Sequence, residues 1–231
     1  RSHAELISRA WQIYKSPRPQ NAPSGEAARE FRERYGHASR SVDFVGVWDT
    51  VGALGIPFSV LGFLDAHDEF YDTKMGSNVR IARHALAIDE QRRDFEPTLW
   101  APNEGVDLKQ VWFAGVHADI GGSYGPDDVS ACEVADTALA WMLGEAEQAG
   151  LGVESHVWSN ITDGVKAPIH RSRRHIFRAK RALKRELTSP LCELQVHSSV
   201  KRRYLQDEGY RPSRLRAAVE QHGWSDIPVC D

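Results

Sequence analysis

Two segments of the chain share one plan. "VDFVGVWDT", from Val42 to Thr50, and "QVWFAGVHAD", from Gln110 to Asp119, are short and nearly continuous apolar runs rich in Val and aromatic residues, and each delivers a polar residue at its end. Such runs fit strands buried on both faces of a parallel sheet, because a half-solvated strand would alternate apolar and polar positions. A mostly parallel sheet flanked by helices, an α/β fold, is the architecture this implies. Ligands of open α/β sheets bind where the strand ends converge, at their carboxyl edge. Asp49 and His117 are expected there.

Helical patterns surround the two runs. Leu6, Ile7, Ala10, Trp11 and Tyr14 share one face of a first helix that stops before Pro17, Pro19 and Pro23. Ser24 is placed to cap a second helix through about Tyr35, closed by Gly36. In "NVRIARHALAIDEQRR", Val79, Ala82, Leu86 and Arg93 recur at helix-like intervals with charges between them, which predicts a helix. Ser130 and Glu133 form a capping box, opening a helix with Val134, Ala138, Trp141 and Met142 as its buried stripe and ending near Gly150. A basic helical insertion is expected over about 165–187, with nine Lys or Arg between Lys166 and Arg185. It reads as a solvated face, or as a contact for anionic lipid or phosphate.

The 231 residues suffice for one sizeable core, so a single domain over 1–231 is expected. With 26% charged residues, 41% hydrophobic ones and a net charge of -3, no general attraction to nucleic acid follows. Cys132, Cys192 and Cys230 are odd in number, far apart and free of any C-x-x-C pairing. That argues against a disulfide framework and a zinc site, and for a reducing compartment such as the cytoplasm. The longest apolar run, Leu54 to Leu64, is interrupted and far short of the roughly 20 residues a membrane span needs. The chain starts at Arg1, within a helical pattern and without signal-peptide character, as a piece of something longer or a processed or trimmed product would.

"GGSYG", Gly121 to Gly125, satisfies the G-x-S-x-G pattern of serine hydrolases. That pattern requires a strand before the serine, a helix after it, and an acid and a histidine later in the chain. Ser123 has its best histidine before it and "PDD" after it, so a turn role is expected instead. A carboxylate that accepts from one imidazole nitrogen leaves the other to take a proton from a nucleophile, and Asp49 followed by His117 has that order. The bland alternative is a turn aspartate and a buried, hydrogen-bonded histidine. Asp119 could orient a neighbour or hold a cation with His117, but no further ligand clusters with it, and no metal or other cofactor is expected. His84 is expected to pack or bond locally on its helix.

"VDFVGVWDTVGALGIP", "ARHALAIDEQRRDFEPTLW", "VWFAGVHADIGGSY" and "ADTALAWMLGEAEQAGL", followed by "VHSSVKRR" and "GYRPSRL", resemble in order the DUF2235 family of α/β-hydrolase domains, which includes the Tle1 phospholipase effectors of bacterial type VI secretion. The resemblance covers about 1–215. It implies Asp49 as triad acid and His117 as triad histidine, in the C-terminal part of an α/β-hydrolase-like fold. It also implies a substrate with ester bonds, lipid or phospholipid, and an effector that is cytoplasmic in its producing cell and then secreted. Family members carry their nucleophile in a G-F-S-R-G-A type elbow upstream of the acid, and no such segment lies between Arg1 and Asp49. Two functions follow as alternatives: the acid and histidine portion of a serine ester hydrolase whose N-terminal half is elsewhere, or a truncated, non-catalytic fragment or binding module. The apolar loop from Gly52 to Leu64 suits an acyl pocket or lid as well as core packing.

Overall fold

The computed structural model describes residues 3–36, 41–51, 76, 78–124, 129–173, 181–189 and 193–231, with residues 3 and 129–133 described by their backbone alone. The loop from Gly52 to Leu64 lies outside the described residues. Five strands form one all-parallel sheet in chain order: β1 (Val42–Trp48), β2 (Val79–Ala87), β3 (Asp107–Phe113), β4 (Val196–His197) and β5 (Val229–Cys230). The helices are α1 (His3–Lys15), α2 (Glu26–Tyr35), α3 (His117–Gly121), α4 (Val129–Gln148), α5 (Ser155–Ser159), α6 (Ser198–Gln206) and α7 (Ser213–Asp226). The fold is α/β, consistent with an α/β-hydrolase-like domain.

Side chains leaving the central strands on opposite faces meet different helices. Ala85, Ala87, Val111 and Phe113 pack against Ala138, Trp141 and Met142 of α4, the stripe expected from the sequence. Leu86 and Trp112 point the other way, into a cluster with Val200 of α6, Leu215 of α7 and Ile227. Trp112, Phe113, Leu86 and Leu215 are fully buried, and each large apolar side chain removed from water contributes roughly 1.5–3 kcal/mol.

The segment expected as a helix over 78–93 is instead the central strand β2. Paired with β1 and β3 along its edges, it packs Ala85 and Ala87 against α4 on one face and Leu86 against α6 and α7 on the other, so no period-two alternation marks it. Its three alanines, Ala82, Ala85 and Ala87, are good helix formers whose local preference yields to tertiary packing. Its buried charged member is neutralised in place: Arg83, 3% exposed, pairs with Glu145 of α4 and, at 2.7 Å, with Asp107 at the start of β3. β1 differs in the other direction, because it has a single neighbour among the described strands and is only half-buried.

Smaller differences have equally local causes. Gly25, not Ser24, is the N-cap of α2, and it has no side chain with which to cap. Ile7, Trp11 and Tyr14 of α1 are exposed, whereas Leu6, Ala10 and Ile13 form its more sheltered face. α4 opens at Val129, and the side chains of the expected capping pair, Ser130 and Glu133, lie outside the described residues. In the basic stretch, residues 167–173 and 181–186 carry no regular secondary structure. Cys230 is a free thiol, and the side chains of Cys132 and Cys192 lie outside the described residues.

Candidate active site

Asp49 immediately follows β1, and His117 opens α3 four residues beyond the end of β3, so both stand at the carboxyl edge of the sheet. The structure brings them together: His117 Nδ1 lies 2.7 Å from Asp49 Oδ2. Asp49 has φ 44°, the one positive value at a non-glycine residue among those described. Aspartate is among the few side chains that tolerate this region, and backbone of this kind concentrates at functional sites.

Every oxygen of Asp49 is engaged. Oδ1 accepts from the Ala87 backbone N–H at 2.9 Å and from Arg185 Nη1 at 2.5 Å, and Oδ2 accepts from Arg185 Nη2 at 2.9 Å beside its bond to His117. Burial pushes the carboxyl toward its neutral form, but the adjacent guanidinium and the bonds from His117, Arg185 and Ala87 outweigh it and hold the group at about 2, against 3.8 ordinarily. An ionised carboxylate only accepts, so His117 donates its Nδ1 proton to Asp49 and leaves Nε2 outside that contact. The His117 side chain is 27% exposed, and its ring makes no other hydrogen bond among the described residues. The Phe95 ring packs on it in an edge-to-face arrangement, 5.0 Å between centroids and 66° between planes.

Three carboxylates hold the turn that presents the histidine. Asp89 accepts from the Gly115 N–H at 2.8 Å, Asp119 from the Val116 N–H at 2.9 Å, and Glu90 from the His117 N–H at 3.3 Å. Each acid has further partners: Tyr210 Oη donates to Asp89 at 3.0 Å, and Ser172 Oγ donates to Glu90 at 2.7 Å. Asp119 also meets His170 Nδ1 at 2.6 Å. Burial raises Asp89 to about 6 despite the bonds from Gly115 and Tyr210. Glu90 is likewise pushed up by burial, yet the bonds from Arg92 and Ser172 bring it below its ordinary value.

The other residues singled out from the sequence separate clearly. Asp119, expected either to orient a neighbour or to hold a cation with His117, meets a neighbour, His170: Oδ1 lies 2.6 Å from its Nδ1, and Oδ2 accepts from the Val116 and His170 N–H groups. Among the described residues, no group of three or more His, Cys, Asp or Glu gathers to hold a metal. His84 lies on β2 rather than on a helix, and its Nε2 accepts the Thr50 N–H at 3.2 Å, so it steadies the residue after Asp49. Burial lowers it to about 4. Ser123 is exposed beyond the C-terminal end of α3, where Gly122 at φ 68° turns the chain and the Ser123 N–H bonds to the Ala118 carbonyl.

A family model described as "T6SS, Phospholipase effector Tle1-like, catalytic domain" matches residues 1–145, more than half of the chain. The chain belongs to this Tle1-like effector family. No curated protein and no solved structure matches it. Both members of the Tle1-like chain's Asp–His pair fall inside the matched region, whereas Arg185, His170 and Tyr210 fall outside it. Sequence reasoning missed Arg185, Asp89 and Glu90. The two acids had a usable signal, since "AIDE" ends a buried run as "VWD" does; Arg185 had none within its basic run.

Proposed function

We propose that this chain supplies the acid and the base of a serine ester hydrolase acting on phospholipid, Asp49 orienting the imidazole and His117 moving the proton. The observation that carries the reading is the 2.7 Å contact between His117 Nδ1 and an ionised, fully buried Asp49 at the carboxyl edge of the sheet. Family membership adds the substrate class, a lipid ester.

In this reading Nε2 of His117 takes the proton from a serine hydroxyl as its oxygen attacks the ester carbonyl. The imidazolium formed is stabilised by Asp49 and returns its proton to the leaving alcohol oxygen. Water then releases the fatty acid from the acyl-enzyme by the same proton transfers in the second half-reaction. By the family resemblance the serine belongs to a strand-to-helix elbow upstream of Asp49, in the N-terminal half of the domain; among the described residues the His117 ring bonds to Asp49 and to no hydroxyl. As a type VI effector the protein is made in the cytoplasm and secreted. Among the described residues no helix is long and apolar enough to cross a membrane. Contact of the basic stretch of 166–185 with an anionic surface is supported by its Arg181 and Lys184, which with Arg93 and Arg214, against Glu96 and Glu186, line an open cleft of about 760 Å³.

The test is active-site labelling of the complete protein with a fluorophosphonate, followed by peptide mass spectrometry. The expected adduct lies on a serine preceding Arg1, labelling is lost in His117→Ala, and the 231-residue chain alone does not turn over p-nitrophenyl esters. An adduct on the peptide containing Ser123, or ester turnover by the chain alone that His117→Ala removes, overturns the assignment. Lack of any labelling in the complete protein would favour the second reading, a non-catalytic binding module.

A further inference from the structure

An Asp–His pair buried in protein faces a conflict. The carboxylate must be ionised to orient the ring, but a lone buried anion binds the imidazolium more strongly than the neutral imidazole and so tends to keep the base charged before any substrate arrives. In this protein a third group addresses the conflict. Arg185 is 4% exposed, stands 136 residues beyond Asp49, and reaches both of its oxygens, Nη1 to Oδ1 at 2.5 Å and Nη2 to Oδ2 at 2.9 Å. The guanidinium is itself fixed from two sides: Nη1 donates to the Ala87 carbonyl at 2.7 Å and Nη2 to the Phe95 carbonyl at 2.6 Å. Phe95 is the residue whose ring packs against His117, and Ala87 is the residue whose N–H holds Asp49 Oδ1. One side chain thus ties the acid, the end of β2 and the wall of the histidine into a single assembly.

We propose that Arg185 is a positioning residue for the Asp49–His117 pair: by clamping both carboxylate oxygens it lets Asp49 orient the His117 ring without trapping it as an imidazolium, so that the ring rests as a neutral base. The proposal rests on the reading of Asp49 and His117 as acid and base, and it adds to them a member outside the matched region of residues 1–145. Other charges around the pair do not substitute for it. Glu90 faces the His117 backbone N–H and is paired with Arg92 at 2.9 Å. His84, behind Asp49 on β2, is buried and held toward its neutral form. Phe95 brings an uncharged ring against His117. A lysine at 185 would keep the charge but not the planar fork that meets two oxygens at once.

The experiment follows the His117 ring by nitrogen-15 NMR in the complete protein, comparing the wild type with Arg185→Met and Arg185→Lys, each checked for folding by circular dichroism. In the wild type at pH 7.5 the ring is expected to carry its proton on Nδ1 alone; a doubly protonated ring there overturns the proposal whether or not any variant folds. In folded Arg185→Met the ring's titration midpoint should move up by about one pH unit, the low end of what a neighbouring full charge does at this range. Arg185→Lys should stay close to the wild type in midpoint while losing part of the turnover of the complete protein. A midpoint in Arg185→Met that is unmoved or lower overturns the proposal, leaving the arginine a structural counter-ion only. In the complete protein Arg185→Met should lower kcat about tenfold or more with KM nearly unchanged, and shift the acidic limb of the kcat/KM profile upward by the same amount as the ring. Because the NMR arm needs no catalysis, a ring that responds as expected in a protein where His117→Ala keeps activity would reject the hydrolase assignment and leave the clamp standing.

Discussion

Asp49 Oδ1 accepts the backbone N–H of Ala87 at 2.9 Å, so the residue that leaves one strand is tied by its side chain to the last residue of the next. The bond does for the acid what packing does for a core residue, fixing its rotamer through the sheet itself.

Asp49→Asn isolates the charge from this geometry. Asparagine tolerates the positive φ and can still accept from Ala87, but it can present an amide where His117 needs an acceptor, and Arg185 loses its anion. In the complete protein kcat is expected to fall by up to about ten-thousand-fold, as when a triad acid is neutralised. The stranded guanidinium should also cost about 3–5 kcal/mol of stability. Steady-state lipid hydrolysis, measured well below the variant's unfolding temperature, separates the two effects; near-normal rates remove Asp49 from the mechanism.

Ser123→Ala should keep most of the activity of the complete protein, whereas His117→Ala abolishes it. Ser123 stands six residues beyond His117, past the end of α3, where Gly122 at φ 68° turns the chain out of the helix. Loss of turnover in Ser123→Ala, with an unchanged melting temperature, would return it to candidacy.

Gly115→Ala tests the turn. Its φ is 137°, and an added Cβ would sit 2.8 Å from the Asp119 Cβ, on the acid that holds Val116. A cost of about 1–3 kcal/mol is expected from backbone strain of this kind. Urea unfolding of the two proteins side by side measures it, and a midpoint within error of the wild type would show that the turn accommodates a side chain.

Stability should fall with acid from pH 6.5 toward 4. His84 and His197 are lowered by burial from 6.5 to about 4, so both are neutral when folded and bind protons first when unfolded. Their contribution is complete above pH 6.5 and is lost as pH drops through that window, by at most about 3 kcal/mol each. Asp89 works in the opposite sense: raised from 3.8 to about 6, it destabilises the fold above pH 6 and relieves that cost as pH falls toward 3.8. Asp89→Asn, which can still accept from Gly115, should therefore be more stable than the wild type at pH 8 and lose stability more steeply between pH 6 and 4. Parallel unfolding curves across that range would contradict the assignment.

The strands that carry Asp49 and His117 were readable because each is an apolar run ended by one polar residue. β2 was not, since a strand enclosed on both faces has no alternation to show, and its alanines, with Arg83 among them, imitate an amphipathic helix. The meeting of Asp49 and His117 was expected from family resemblance and the convergence of strand ends. Arg185 was hidden for a different reason. Burial of an arginine depends on what anion awaits it, and that anion lies 136 residues away, so composition made Arg185 look like its solvated neighbours.

The three carboxylates on Gly115, Val116 and His117 bear on when the imidazole loses its freedom. A histidine on a loose loop would have to be ordered in each catalytic cycle, and that entropy would appear in the activation barrier. Here Asp89, Asp119 and Glu90 immobilise the backbone as the chain folds, and Asp49 then fixes the ring. The search is completed once, at synthesis, and under the proposed function turnover would begin with the base already in place.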